Sequence, residues 1–463
     1  MSAELPPAPF RWRAPLVLSG LCAAALSLHL TSLFHPQLLY DDFEILLASW
    51  TWADTRANLW EPMNEHSWPL TRLTTAAVVE ATGHRQTWLP LAAALPARLA
   101  LVAALLLTFR FVARHTGSQA AGIAGVIVFG ITAAYQEAIY WYAAHPPLWC
   151  VCCALLGMLA ADRWAGRGGW RRLTETAAWA FVAPGWFAGG VLVGPLLGLY
   201  LGLGARRWAA VVPACGTAAY LLLSWAMAGD RINHPDHFQG KSMIGSLDPI
   251  TGAGMTARAV VDQLAVAAVG VHKVATPIPL VAVAFPLLVL LAVGWWRWAA
   301  DRRLVVVGAA FILGSDWLIY SARGAWSYSE QLRDWSRYNV FPWFGLTLMI
   351  VGGPPWRRGP LTGRQAVIGL SVAAVLFLVQ LPRGMSGSAW IDPEQPKMLR
   401  RLEEWDRLCR EHRLSSAAAR QAIPALTTEY WEERDCLELL WGSATPVPRP
   451  PDEVRALLAV GPP

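Results

Sequence analysis

Continuous apolar runs, each close to the length of a bilayer, repeat along most of the chain. They occupy residues 15–34, 89–110, 119–137, 145–161, 174–204, 209–228, 278–298, 304–321, 338–353 and 365–382. About 20 apolar residues in a helix cross the hydrocarbon core. The runs do not alternate, and a span must satisfy its own backbone hydrogen bonds, so the predicted elements are helices rather than barrel strands. Residues 174–204 are read as two short helices broken at Pro184-Gly185. Arg171 and Arg172 precede this stretch and Arg206 and Arg207 follow it. Both clusters belong on one side, so the chain must go out and back. The pattern predicts an all-α, polytopic membrane protein with about 11 transmembrane helices.

The polar stretches between runs give orientation. Arg110 and Arg114, Arg163 to Arg172, Arg297 to Arg303, and Arg357 and Arg358 fall in alternate short loops. Basic short loops stay cytoplasmic, which places the N-terminus inside and the C-terminus outside. Arg11, Arg13 and the apolar run after them resemble a secretory signal, but the run continues to Leu33, so a retained first span is expected. Two long outer loops follow, 35–88 and 229–277. Interfacial helices are expected at 42–53, at 68–81 with Ser67 or Asn64 as cap, and at 256–270. Residues 1–382 form the transmembrane domain and 383–463 a small extracytoplasmic tail, too short for a large core of its own.

Composition agrees with the pattern. The chain has 463 residues, 55% hydrophobic and 15% charged, against roughly 25% charged in soluble domains. The net charge of +6 comes from short Arg clusters, not from a basic stripe on a soluble domain, so nucleic acid is excluded as a partner. Many of the 26 tryptophans lie near span ends, as in an interfacial aromatic belt. Cys22, Cys150, Cys152, Cys153 and Cys215 lie in apolar runs and read as small buried hydrophobes. Cys409 and Cys436 pair if the tail faces an oxidising compartment. The Arg-rich, Lys-poor composition points to a bacterial plasma membrane.

The candidate chemistry collects on the outer side. Tyr40-Asp41-Asp42-Phe43-Glu44 follows the first run, and Glu65-His66-Ser67-Trp68-Pro69-Leu70 with Arg72 comes later in the same loop. Glu137 ends the third run beside Tyr140-Trp141-Tyr142 and His145. Arg98 and Asp316 lie within spans, some way below their outer ends. Arg323, Arg333, Asp334 and Arg337-Tyr338 belong to a late outer loop, and Lys241 and Lys273 to the second long one. Ionisable groups at a bilayer boundary are read first as functional. A carboxylate can take the proton from a hydroxyl as it attacks. An Arg fork can hold a lipid phosphate and stabilise it as it leaves. Paired carboxylates can also hold a divalent cation, but no second carboxylate cluster has ligand spacing, so no metal is assigned. No Gly-rich phosphate loop is present.

The order of a first span, an Asp pair, an outer loop with His66, Pro69 and Leu70, many spans and a late Arg-Tyr resembles the GT-C glycosyltransferase superfamily. Within it, the pattern is similar to that of protein O-mannosyltransferases and bacterial aminoarabinose transferases. The resemblance covers roughly residues 10–350; Trp68 replaces a proline of the loop element. It implies an inverting transfer of a sugar from a polyprenyl-phosphate donor to an acceptor hydroxyl on a glycan, lipid or protein, with a divalent metal left open and no other cofactor assigned. Asp41 and Asp42 are then the catalytic carboxylates, with Asp41 as base. His66, Glu137, Arg333, Arg337 and Tyr338 are the substrate-binding set, with Arg337 on the phosphate. The alternative is a transporter or flippase for a lipid-linked or polar substrate, and a third reading is a scaffold that has kept the fold without the activity.

Overall fold

The described residues are almost entirely helical, and several of the helices are long and apolar enough to cross a membrane. The computed structural model describes residues 13–30, 38, 42, 45–46, 48–63, 66–85, 88–204, 207–228, 254, 256–262, 278–322 and 336–386. Apart from Arg85 and Trp88, these belong to one compact unit. Its helices are α1 (Arg13–Ser27), α2 (Trp52–Asn58), α3 (Pro69–Ala81), α4 (Leu89–Thr116), α5 (Gln119–Gly130), α6 (Glu137–Tyr140), α7 (Pro146–Arg167), α8 (Trp170–Trp186), α9 (Val193–Gly202), α10 (Val211–Ala228), α11 (Ile278–Trp298), α12 (Arg302–Ala322), α13 (Val340–Gly352) and α14 (Gly363–Ser386). The strands among the described residues are one antiparallel pair, β1 (Pro62–Met63) and β2 (His66–Ser67).

Helix α7 is the axis of the unit. It packs against α4, α8, α9 and α13, and 89% of the apolar window in Tyr142–Arg167 is buried, against 6% in α11. Leu280, Val283, Leu287, Leu290 and Leu291 leave α11 apolar and exposed along its length. Such a face suits contact with hydrocarbon, whereas the apolar stretch of α7 is enclosed by protein. Helices α12 and α13 cross at Gly308 and Gly345, where a Cβ on either would lie 2.4 Å from the other's carbonyl oxygen. Small residues permit such close approach of membrane helices.

Each of the eleven segments expected as spans coincides with a helix, but the count of eleven crossings is not what length and composition give. Five described helices are long and apolar enough to cross a membrane, and four more apolar helices are shorter. Helix α5, with 12 residues, rises about 18 Å, well short of a core of about 30 Å. Helices α8 and α12 carry charges at their starts and, in α12, Asp316. The break near Pro184-Gly185 lies where expected: α8 ends at Trp186 and a 3-10 turn, Ala188–Leu192, leads into α9. A Cβ on Gly190 would lie 2.4 Å from the Ala183 carbonyl oxygen, so the turn needs glycine there.

The first long loop departs from expectation in two ways. The interfacial helix expected over 42–53 is interrupted: Asp42, Ile45 and Leu46 are helical, a turn follows at 48–50, and a separate helix, α2, starts at Trp52, where Thr51 and Asp54 form a reciprocal capping box. The expected cap of α3 by Ser67 or Asn64 is absent. Trp68 takes the cap position without a side-chain bond, Pro69 starts the helix, and the Ser67 hydroxyl donates to the Trp60 carbonyl instead. Asn64 lies outside the described residues, as do the stretch 263–270, most of the loop 229–277, Cys409, Cys436 and the rest of the tail beyond residue 386.

Candidate functional site

Helix α5 stops at Gly130, earlier than the expected end at 137, and the chain then runs irregularly through the protein interior to His145. All residues from 131 to 139 and from 142 to 145 are buried. Pro146 and Pro147, with φ preset for a first helical turn, restart the helix as α7. Non-helical backbone at membrane depth persists only where protein or a water-filled cavity satisfies it. Here side chains from distant elements do so. Gln380 of α14 accepts from the Ala133 N–H at 3.2 Å. Asn339 donates to the Ala134 carbonyl at 2.8 Å. Arg98 donates to the Ile139 carbonyl at 3.5 Å and to Ala94 at 2.6 Å. Asp42, fully buried, accepts from the Ala143 N–H at 2.7 Å.

A ladder of hydroxyls joins this segment to the first loop. The Tyr142 hydroxyl meets Thr75 of α3 at 2.7 Å, and Thr75 donates to the Thr71 carbonyl at 2.8 Å. Thr71 in turn donates to the Trp186 carbonyl at the end of α8, 3.0 Å away. Beside it, the His145 ring packs on Tyr142 with centroids 4.9 Å apart, and its Nδ1 bonds the Tyr142 carbonyl. The Nε2 atom of His145 is buried with no hydrogen-bond partner among the described residues. It is the one nitrogen of that ring left to exchange a proton or meet a ligand.

The expected site residues fall around this segment unevenly. Asp42 touches it directly. Glu137 is the first residue of α6 and is buried. Tyr338 is half-buried in a 3-10 turn, Ser336–Asn339, which packs on α6. The backbones of Arg337 and His66 lie in that turn and in β2, but their side chains fall outside the description, and Asp41 and Arg333 lie outside the described residues altogether. Asn339, Gln380 and Thr75 were missed by sequence reasoning. Asn339 and Gln380 were legible only as polar residues at the ends of apolar runs.

A second polar cluster, also missed, lies at the other end of α7. His115 Nδ1 is 2.9 Å from Asp162 Oδ2, and His115 Nε2 is 2.5 Å from Asp301 Oδ2. The Tyr200 hydroxyl donates to Asp162 Oδ1 at 2.5 Å and lies 2.9 Å from His115 Nδ1. Arg303 completes the cluster 3.6 Å from Asp301 and 5.4 Å over the Tyr200 ring. Burial alone would raise the Asp301 carboxyl. The hydrogen bond and charge of His115, then Arg303 and the Leu304 N–H, outweigh it and hold Asp301 at about 2. The visible signal was acidic residues, Asp162 and Asp301, inside otherwise Arg-dense loops. No group of three or more His, Cys, Asp or Glu fit to hold a metal occurs among the described residues.

No family model matches the chain, and neither curated proteins nor solved structures give a match.

Proposed function

We propose that the protein is a membrane-embedded glycosyltransferase that moves a sugar from a polyprenyl-phosphate donor to an acceptor hydroxyl at the first-loop face. One observation carries the reading. The loop bearing Asp42 and the turn bearing Arg337 and Tyr338 fasten to one buried strip, through Ala143 and Ala134 respectively. Asp42 and Asn339, the latter two residues beyond Arg337, lie about 300 residues apart in the chain and bond the same buried segment.

In this reading Asp41 takes the proton of the acceptor hydroxyl as its oxygen bonds the anomeric carbon. The bond from that carbon to the phosphate oxygen breaks, configuration inverts, and polyprenyl phosphate leaves with its added charge held by Arg337. Asp42 fastens the loop to Ala143, and Glu137, His66, Arg333 and Tyr338 border the sugar. The lipid tail lies between helices. All eleven helical segments cross the membrane, some tilted or short, in a bacterial plasma membrane with the N-terminus in the cytoplasm.

The test uses the purified full chain in lipid nanodiscs with polyprenyl-phosphate hexose and pentose donors. The parent should transfer sugar, and Asp41→Asn should lower the rate by about 10²–10⁴-fold. Transfer unchanged in Asp41→Asn removes the base. Absence of transfer from every donor by the parent removes the reading.

A transport reading has one observation in its favour, the interrupted pair α8 and α9 joined by the Ala188–Leu192 turn. Broken helices near mid-membrane mark substrate sites in transporters. Movement of the lipid-linked donor across vesicles without sugar transfer would select it.

A further inference from the structure

The His115 cluster joins pieces that are remote in sequence. His115 is the second-last residue of α4, Asp162 lies near the end of α7, Tyr200 near the end of α9, and Asp301 and Arg303 at the turn from α11 into α12. The imidazole is 5% exposed, Asp162 15% and Asp301 23%. Asp162 lies sixteen residues beyond Pro146, about 24 Å along α7 at 1.5 Å per residue, so the cluster sits at the end remote from Asp42. The turn that carries Asp301 is also tied to the end of α13, by the Ala300 and Asp301 N–H groups donating to Gly353 and Gly352.

The hydrogen-bond pattern favours a protonated ring: the Tyr200 hydroxyl, the one described donor near Nδ1, is directed to Asp162. Both ring nitrogens of His115 face carboxylate oxygens, and ionised carboxylates only accept. A neutral imidazole has one N–H and can satisfy one of them; its other nitrogen would present a lone pair to the second. The charges agree: among the described residues of the cluster, Asp162 and Asp301 balance Arg303 and a protonated His115, whereas a neutral ring leaves the cluster one net negative charge. The groups facing the ring are Asp162 from α7, Tyr200 from α9, Asp301 from the α11–α12 turn with Arg303 behind it, and the Phe111 ring stacked on it from its own helix at 5.4 Å. A paired buried charge loses more by losing its partner than an exposed one does.

We infer that this cluster is a proton-dependent clamp: one bound proton on His115 holds the ends of α4, α7, α9 and α12 shut at the far end of the bundle, and loss of that proton releases them. The inference is independent of sugar transfer. It makes closure of this end a property of the folded chain that pH can undo, whichever substrate the other end handles.

Hydrogen–deuterium exchange of the full chain in nanodiscs tests it. Backbone protection of residues 110–116 and 299–305 is followed from about pH 6 to about pH 10, after correction for intrinsic exchange. In the parent, protection should be high at the acid side and then fall by up to tenfold per pH unit once the proton is lost. His115→Gln should show low protection with no such step. His115→Gln with Asp162→Asn, which restores charge balance, should regain protection and stay flat with pH. Tyr200→Phe, which keeps the ring and all charges, should keep the step at reduced protection, and serves if His115→Gln does not fold. Parent protection without a pH step overturns the clamp, as does the same step surviving in His115→Gln or its absence from a folded Tyr200→Phe.

Discussion

The carboxylate of Asp42 accepts a hydrogen bond from the backbone N–H of Ala143, 101 residues further along the chain and 2.7 Å away. Both ends of this bond are buried. An orphaned buried N–H costs about 1–3 kcal/mol. Asp42→Ala should therefore destabilise the protein by about that amount, while Asp42→Asn keeps an acceptor oxygen and should cost less. Thermal unfolding of the detergent-solubilised variants measures the difference. Equal losses in the two variants would mean that the charge, not the acceptor, matters at this position.

The same reasoning applies to Gln380 and Asn339, which satisfy the adjacent backbone groups of Ala133 and Ala134 from opposite sides of the hydrogen-bond ledger. Gln380 is an acceptor here and Asn339 a donor. Gln380→Glu keeps the accepting oxygen, and Gln380→Leu removes it. The Leu variant should lose about 1–3 kcal/mol of stability and should increase proteolysis between α5 and α7. An unchanged cleavage pattern in Gln380→Leu would show that the 131–145 segment is held by other contacts.

Helical segments were legible in the sequence because continuous apolar runs have few other uses, and the break at Pro184-Gly185 carried its own signal. What was not legible is how much of each run lies at membrane depth. Residues 131–136 continue the apolar run with only Thr132 and Gln136 fully polar, yet they are unwound, because Gln380 and Asn339 arrive from elsewhere to pair with the backbone of Ala133 and Ala134. Local pattern cannot register a partner 200 residues away. The acidic loop could be singled out for the same reason that the His115 cluster was not: adjacent Asp41 and Asp42 form a local motif, whereas His115, Asp162 and Asp301 become a site only after folding.

Close backbone approach between α12 and α13 sets a sharp contrast between two glycines of α12. At Gly308 an added Cβ would meet the Gly345 carbonyl oxygen at 2.4 Å, while at Gly314 the nearest atom is a Leu192 methyl at 3.7 Å. A backbone oxygen cannot swing aside as a side chain can. Gly308→Ala should force the helices apart and lower the yield of folded protein, with a loss of about 1–3 kcal/mol for overpacking. Gly314→Ala should be neutral or stabilising by up to about 1 kcal/mol, through helix propensity alone. Size-exclusion profiles and melting curves of the two single variants, made side by side, check this; equal behaviour would mean that the crossing relaxes more easily than its geometry implies.

Asp301 gives a prediction for the acid side. Its carboxyl is held at about 2, below the ordinary value of 3.8. A depressed folded value means that the folded state prefers the ionised form, so the contribution is fully present above the unfolded value and is lost as pH falls through the folded one. The difference corresponds to about 2 kcal/mol at neutral pH. It should disappear progressively between about pH 4 and about pH 2. Asp301→Asn removes the titrating group and the accepting charge for His115 together, so its stability at neutral pH should drop toward that of the acidified parent, and its profile over the same interval should flatten. Denaturant titrations at stepped pH provide the measurement. If the Asn variant keeps the parent's acid slope, the acid sensitivity belongs to other carboxylates and Asp301 is no more than a cap on the first turn of α12, through the Arg303 and Leu304 N–H groups it already accepts from.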